Sequence, residues 1–177
     1  AVMPVAGDRF YFFVDIPQPA GHAAEAGEPL AALREAFGDW APGVQTLLEA
    51  IDPASSLNRV EIWDIDPFHT WVKGRVAILG DAAHNTAPDI GQGACSALED
   101  TFALAISLAT NTNSVEDALL RYERSRTERA GDLVNRARKR AAETHGFVPG
   151  ATEAWYESLR GTDGTDIIRG IVGNIEG

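Results

Sequence analysis

A short apolar run over 75–79 enters Gly80-Asp81, and Pro88, Asp89 and a Gly91-Gln92-Gly93 helix opening follow it closely. This order constrains the fold more than any other part of the chain. Glycine at a strand end lets the backbone approach a ligand. A carboxylate just beyond stands where ligands bind in α/β sheets, and there Asp81 can accept two hydroxyl hydrogen bonds from a sugar-like chain. Pro88 fixes the loop. Bare amides at a helix start, together with the helix dipole, favour a negative or electron-rich group. Taken alone, a Gly-x-Gly at a helix start signals no more than a tight turn.

Around this string the patterning is mixed. Residues 9–16 are aromatic and β-branched and read as a strand pairing with 1–6 through an Ala-Gly-Asp turn. A loop is expected over 17–27, then helices over 30–37 and 44–51, the second opened by Pro42 and closed before Pro53. Residues 58–65 alternate as a strand, with Val60, Ile62 and Asp64 on one face. Residues 91–110 read as a helix with Ala94, Ala97, Leu98, Phe102, Ala105 and Leu108 at helical intervals. Ser114 with Asp117 three residues on caps the longest helix, which runs to Thr144 and stops at Gly146. Short helices fit 152–159 and 166–172. The class is α/β (α+β), with a strand-rich front and a helical back.

The 177 residues suffice for a cored domain or for part of a larger protein. A net charge of -11 argues against nucleic-acid and anionic-membrane partners. Between Arg121 and Arg140, however, eight basic residues face three acids, the pattern of a solvated helix face or of a contact for an acidic partner. One cysteine, Cys95, excludes an internal disulfide and points to a reducing, cytoplasmic setting. No apolar run is long enough to span a bilayer.

Other candidates are weaker. His84 reads as a structural hydrogen-bonder. His22, His69 and His145 are scattered without metal-ligand spacing, so no metal site is expected. Cys95 reads as a small packed thiol, and Trp155-Tyr156 as a packing anchor. Tyr11 and Phe13 share one strand face, where a planar aromatic ring can stack or a core can form. Arg9 reads as a sheet-edge residue. The residues alone leave Asp89 open between a loop carboxylate favoured before a helix and a general base.

The whole string Gly80-Asp81-Ala82-Ala83-His84, Pro88, Gly91-Gln92-Gly93, Ala97 and Glu99-Asp100 resembles the second flavin-binding motif of the class A flavoprotein aromatic hydroxylases, the para-hydroxybenzoate hydroxylase family. The likeness extends over nearly the whole chain. Residues 9–13, 88–93, 138–140 with 144–146, and 152–156 resemble the branch of that family that hydroxylates urate. Ala87 and Ala94 are small departures that leave flavin binding intact.

The resemblance implies the carboxy-terminal part of a para-hydroxybenzoate hydroxylase-type FAD-binding fold, with substrate-domain β-strands and long carboxy-terminal helices. Residues 1–73 would belong to a substrate-binding sheet domain with two helices. Residues 74–112 would be the second half of the FAD-binding domain, and 113–177 the carboxy-terminal helices.

It also implies a monooxygenase using FAD, NADH or NADPH, and O₂ on a small aromatic or purine substrate, with urate going to 5-hydroxyisourate foremost. Another phenolic or salicylate-like substrate, or a non-catalytic flavin-fold module, are the alternatives. By resemblance Gly80, Asp81, Pro88, Gly91, Gln92, Gly93, Ala94 and Cys95 hold the flavin. Tyr11, Phe13, Gln92 and Gly93 meet the substrate, and Asp89 and Tyr11 are catalytic. No Gly-x-Gly-x-x-Gly follows a strand near the start. The resemblance places that motif upstream of Ala1, so the partner expected is the amino-terminal half of the same enzyme, with room for a homodimer.

Overall fold

A computed structural model of the chain describes residues 1–22, 27–52, 57–110 and 114–176. Part of the expected 17–27 loop, Pro53, and the stretch ending the second expected domain lie outside these residues. The chain forms two compact units, residues 1–62 and 63–177, each with its own packing.

In the first unit, β1 (Val2–Val5) and β2 (Arg9–Phe12) form an antiparallel hairpin with Met3 opposite Tyr11. The expected strand over 9–16 is thus shorter. Ladder bonding continues only through Ala1 and Phe13, and past Phe13 no described residue supplies ladder groups. Helix α1 (Pro29–Phe37) opens on Pro29 with the Glu28 carboxylate accepting the Leu30 amide, and α2 (Pro42–Ala50) opens on Pro42. Leu30, Phe37, Leu48 and Ile51 bury together, with Phe12 and Ile16 against them. Residues 58–65 form no strand. A strand needs a hydrogen-bonding neighbour, none is present among the described residues, and Val60 and Ile62 are exposed.

In the second unit, β3 (Val72–Lys73) and β4 (Val76–Ala77) make a two-residue hairpin. The run before Gly80 is therefore not a buried strand, and Val76 is exposed. The short helix α3 (Asp81–His84) follows, then a 3₁₀ turn (Pro88–Ile90) and α4 (Gly93–Thr110). The long helix α5 (Val115–Thr144) begins at Ser114, whose hydroxyl accepts the Asp117 amide at 3.0 Å and donates to its carboxylate at 2.8 Å. Helices α6 (Ala151–Leu159) and α7 (Thr165–Glu176) complete the unit.

The core gathers Trp71, Val72, Ala83, Leu119, Tyr122 and Ala130 under α4 and α5. The apolar stripe of α4 is turned the other way: Leu98 and Phe102 are about 70% exposed, and the buried residues are Ser96, Asp100 and Ser107. Helical spacing alone cannot say which stripe is covered. Here the decision follows from ion pairs that α5 offers to the polar side.

Candidate flavin-binding site

Gly80 carries φ +57 and ψ -141, a conformation essentially reserved for glycine. The conformation turns the chain from β4 into α3 and leaves Asp81 exposed. Among the described residues nothing bonds the Asp81 carboxylate, so both oxygens remain available. After Pro88, Gly91 takes the left-handed conformation (φ +65) and its amide closes the 3₁₀ turn onto Pro88 O at 2.9 Å. A Cβ built at Gly91 meets nothing within 4 Å, so its freedom serves backbone shape. Helix α4 then starts at Gly93, and the first amide returned to the chain is that of Ser96, to Gln92 O at 2.9 Å. The preceding first-turn amides have no intrahelical acceptor. An exposed, unpartnered carboxylate beside open amides fits the hydroxyl-rich chain and electron-rich ring edge of FAD.

The turn is held from below by a buried charge network. Asp100, fully buried on α4, accepts the Gly80 amide at 2.8 Å, His84 Nε2 at 2.6 Å and Arg126 Nε at 2.8 Å. Burial by itself raises the pKa of this carboxyl. The bonds from His84, Arg126 and the Gly80 amide outweigh that effect and hold it below the usual carboxylate range. With Asp100 ionised, the carboxylate can only accept, so Nε2 of His84 carries the proton. His84 Nδ1 is buried without a partner, while the ring packs on Trp71 at 5.5 Å.

Arg126 also donates to Glu99 at 2.6 Å and to Ser96 Oγ at 3.1 Å, and Arg129 forks onto both Glu99 oxygens at 2.7 and 2.8 Å. The Arg129 bond and then that of Arg126 lower the Glu99 pKa against its partial desolvation. Tyr122 donates to Ile78 O at 3.1 Å, and burial raises its phenol pKa. Further along α5, Arg138 grips Asp64 with two bonds at 2.6 and 2.8 Å and reaches Asp66 at 2.9 Å. The basic stretch is thus not simply a solvated face. Arg126, Arg129 and Arg138 are internal staples, whose acids lie 26 to 74 residues away in sequence.

The expected site residues divide. Gly80, Asp81, Pro88, Asp89, Gly91, Gln92, Gly93, Ala94 and Cys95 all belong to the second unit, where Asp81, Pro88, Gly91, Ala94 and Cys95 are exposed and Gly80 is buried, and His84 is structural, as the sequence suggested. Cys95 is exposed, not packed, because it lies on the side of α4 away from α5. Tyr11 and Phe13 belong to the first unit, exposed with ring centroids 6.0 Å apart. Trp155 receives the Arg140 guanidinium 4.2 Å from its ring centroid, while Tyr156 is exposed, its ring 4.9 Å from that of Trp155.

His145 was the residue missed. Its Nε2 lies 2.5 Å from Asp89 Oδ1. The only signal in the sequence was its place at the end of the capped helix, in the 144–146 stretch already singled out. Among the described residues no cluster of His, Cys, Asp or Glu could hold a metal ion, and no helix is long and apolar enough to cross a membrane.

A family model described as "FAD binding domain" matches residues 39–137, more than half of the chain, and the chain belongs to that family. Its fold is the para-hydroxybenzoate hydroxylase type, mixed in helix and strand with long helices.

Among curated relatives, a FAD-dependent urate hydroxylase of Mycolicibacterium vanbaalenii is 59% identical over all of this chain and 45% of its own length. One of Klebsiella pneumoniae is 49% identical over 99% of the chain and 45% of its own length. A solved structure of Klebsiella pneumoniae HpxO complexed with FAD and uric acid superposes with a TM-score of 0.89 at 47% identity, covering 98% of this chain and 44% of that one. The chain spans about half the length of the curated relatives it matches.

Proposed function

We propose that the protein carrying this chain is an FAD-dependent monooxygenase that hydroxylates urate to 5-hydroxyisourate, using NADH or NADPH and O₂ in the cytoplasm. The observation that carries this reading is the 59% identity, over the whole chain, to a FAD-dependent urate hydroxylase. The HpxO complex with uric acid supports the substrate class.

Bound FAD supplies the O₂ chemistry. This chain's part is to hold and orient. Asp81 would take the sugar and ribityl hydroxyls, and the amides from Gln92 to Cys95 the electron-rich edge of the ring, since the Gly91 amide is spent on Pro88 O. Gly80 and Pro88 shape the approach. Gln92 and Gly93 would meet ring and substrate. Asp89 accepts a proton from an acidic N–H of the heterocycle. Its Oδ2 meets no donor among the described residues, which leaves that oxygen for the task.

The test is urate-dependent NADH oxidation by the full-length flavoprotein. A yellow protein consuming NADH and O₂ with urate supports the proposal. A protein that oxidises no NADH with urate and added FAD overturns it. Asp89→Asn should cut turnover about a hundredfold or more with flavin content preserved.

A further inference from the structure

We propose that His145 is the positioning residue for Asp89, fixing Oδ1 so that Oδ2 is presented to the substrate. The inference rests on the proton-accepting role given to Asp89 above.

The geometry is built from both sides. Asp89 lies in the 3₁₀ turn, between Pro88 and the left-handed Gly91, with its side chain only 7% exposed. An ionised carboxyl so buried needs a donor. His145 supplies it from the end of α5, where its own amide still closes the helix onto Ala141 O at 3.0 Å. The chain then reverses at Gly146, whose amide is latched to Thr152 Oγ1 at 3.1 Å on α6, so the imidazole is set by two helices. An ionised carboxylate can only accept, so the proton is on Nε2.

Neighbouring charges are otherwise engaged. Arg138 is bound to Asp64 and Asp66, Arg140 lies over Trp155 with Glu143 3.9 Å away, and Glu157 pairs with Arg160. Glu153 on α6 is exposed. His145 is the one side chain bonded to Asp89 among the described residues.

The experiment compares kcat, KM and FAD content in urate-dependent turnover for full-length wild type, H145A, H145F and H145Q. Loss of a charge-assisted hydrogen bond should lower kcat about tenfold or more in H145A and H145F. KM for urate and FAD content should be nearly unchanged. Glutamine carries a donor at the corresponding atom, and H145Q should regain most of the turnover. H145F keeps a ring of similar size, so a cavity left by alanine is not mistaken for a lost bond.

Wild-type turnover in H145A or H145F overturns the proposal. So does a fall in kcat matched by equal FAD loss, or one that H145Q does not restore, which marks a structural latch. Wild-type turnover in D89N would remove the role of Asp89 and this inference together. A slow D89N beside an unaffected H145F would remove this inference alone.

Discussion

Arg126 Nε lies 2.8 Å from Asp100 Oδ1, both side chains almost wholly buried, and the other Asp100 oxygen holds the Gly80 amide. The long helix is thereby coupled through one carboxylate to the turn that presents Asp81.

Breaking this pair from one side strands a buried charge. Asp100→Ala or Arg126→Leu should each cost about 3–5 kcal/mol, and the joint replacement Asp100→Leu with Arg126→Leu less than the sum. Urea unfolding of the full-length flavoprotein measures this.

Acid sensitivity follows from the same carboxylates. Asp100, Glu99 and Asp64 all have pKa values lowered in the folded state, the last chiefly through its bonds from Arg138. The unfolded chain therefore binds more protons as pH falls. Stability is complete above the ordinary carboxylate values of 3.8 and 4.5 and is lost as pH drops through the lower folded ones. Urea midpoints should fall steeply below about pH 4.5, and Asp100→Asn should flatten that decline while lowering the plateau.

Asp81 should behave in the opposite way to Asp100. Its carboxylate is exposed and bonds nothing among the described residues, so Asp81→Ala should leave the unfolding midpoint nearly unchanged. FAD affinity should drop about tenfold or more with the loss of hydrogen bonds to a charged group. Fluorescence titration of the apoprotein with FAD reads the difference.

The two turn glycines should separate by severity. Gly91→Ala adds left-handed strain of about 1–2 kcal/mol with open space around the new methyl. Gly80→Ala forces a conformation reserved for glycine and brings the methyl 3.4 Å from Ala97 Cβ. Thermal unfolding should show Gly80→Ala as the more damaging change.

Arg138 grips Asp64 through a two-bond fork that a lysine cannot reproduce. Arg138→Lys should cost about 1 kcal/mol or less, since both partners are partly exposed. It should also raise amide exchange near Ile65, whose N–H is held by Asn85 O at 3.2 Å.

Local chemistry made much of this readable. Ser114 and Asp117 announced the long helix, Pro42 the start of α2, and the Gly80-Asp81 and Gly91-Gln92-Gly93 pieces the two glycine turns of the second unit, because each acts over a few residues. The 58–65 strand failed for the converse reason. Its alternation was real, but a strand exists only through a neighbour. Likewise the stripe of Leu98 and Phe102 had helical spacing, yet α5 covers the opposite face of that helix, where Asp100 and Ser96 meet Arg126.

The sequence by itself determined the turn that offers Asp81 and the glycine-opened helix, since backbone conformation and capping are local properties. Tertiary structure alone decided the partners. Asp89 meets His145 across 56 residues and Asp100 meets Arg126 across 26, because charges removed from water must be matched wherever the fold brings a donor. No periodicity along the chain records that choice.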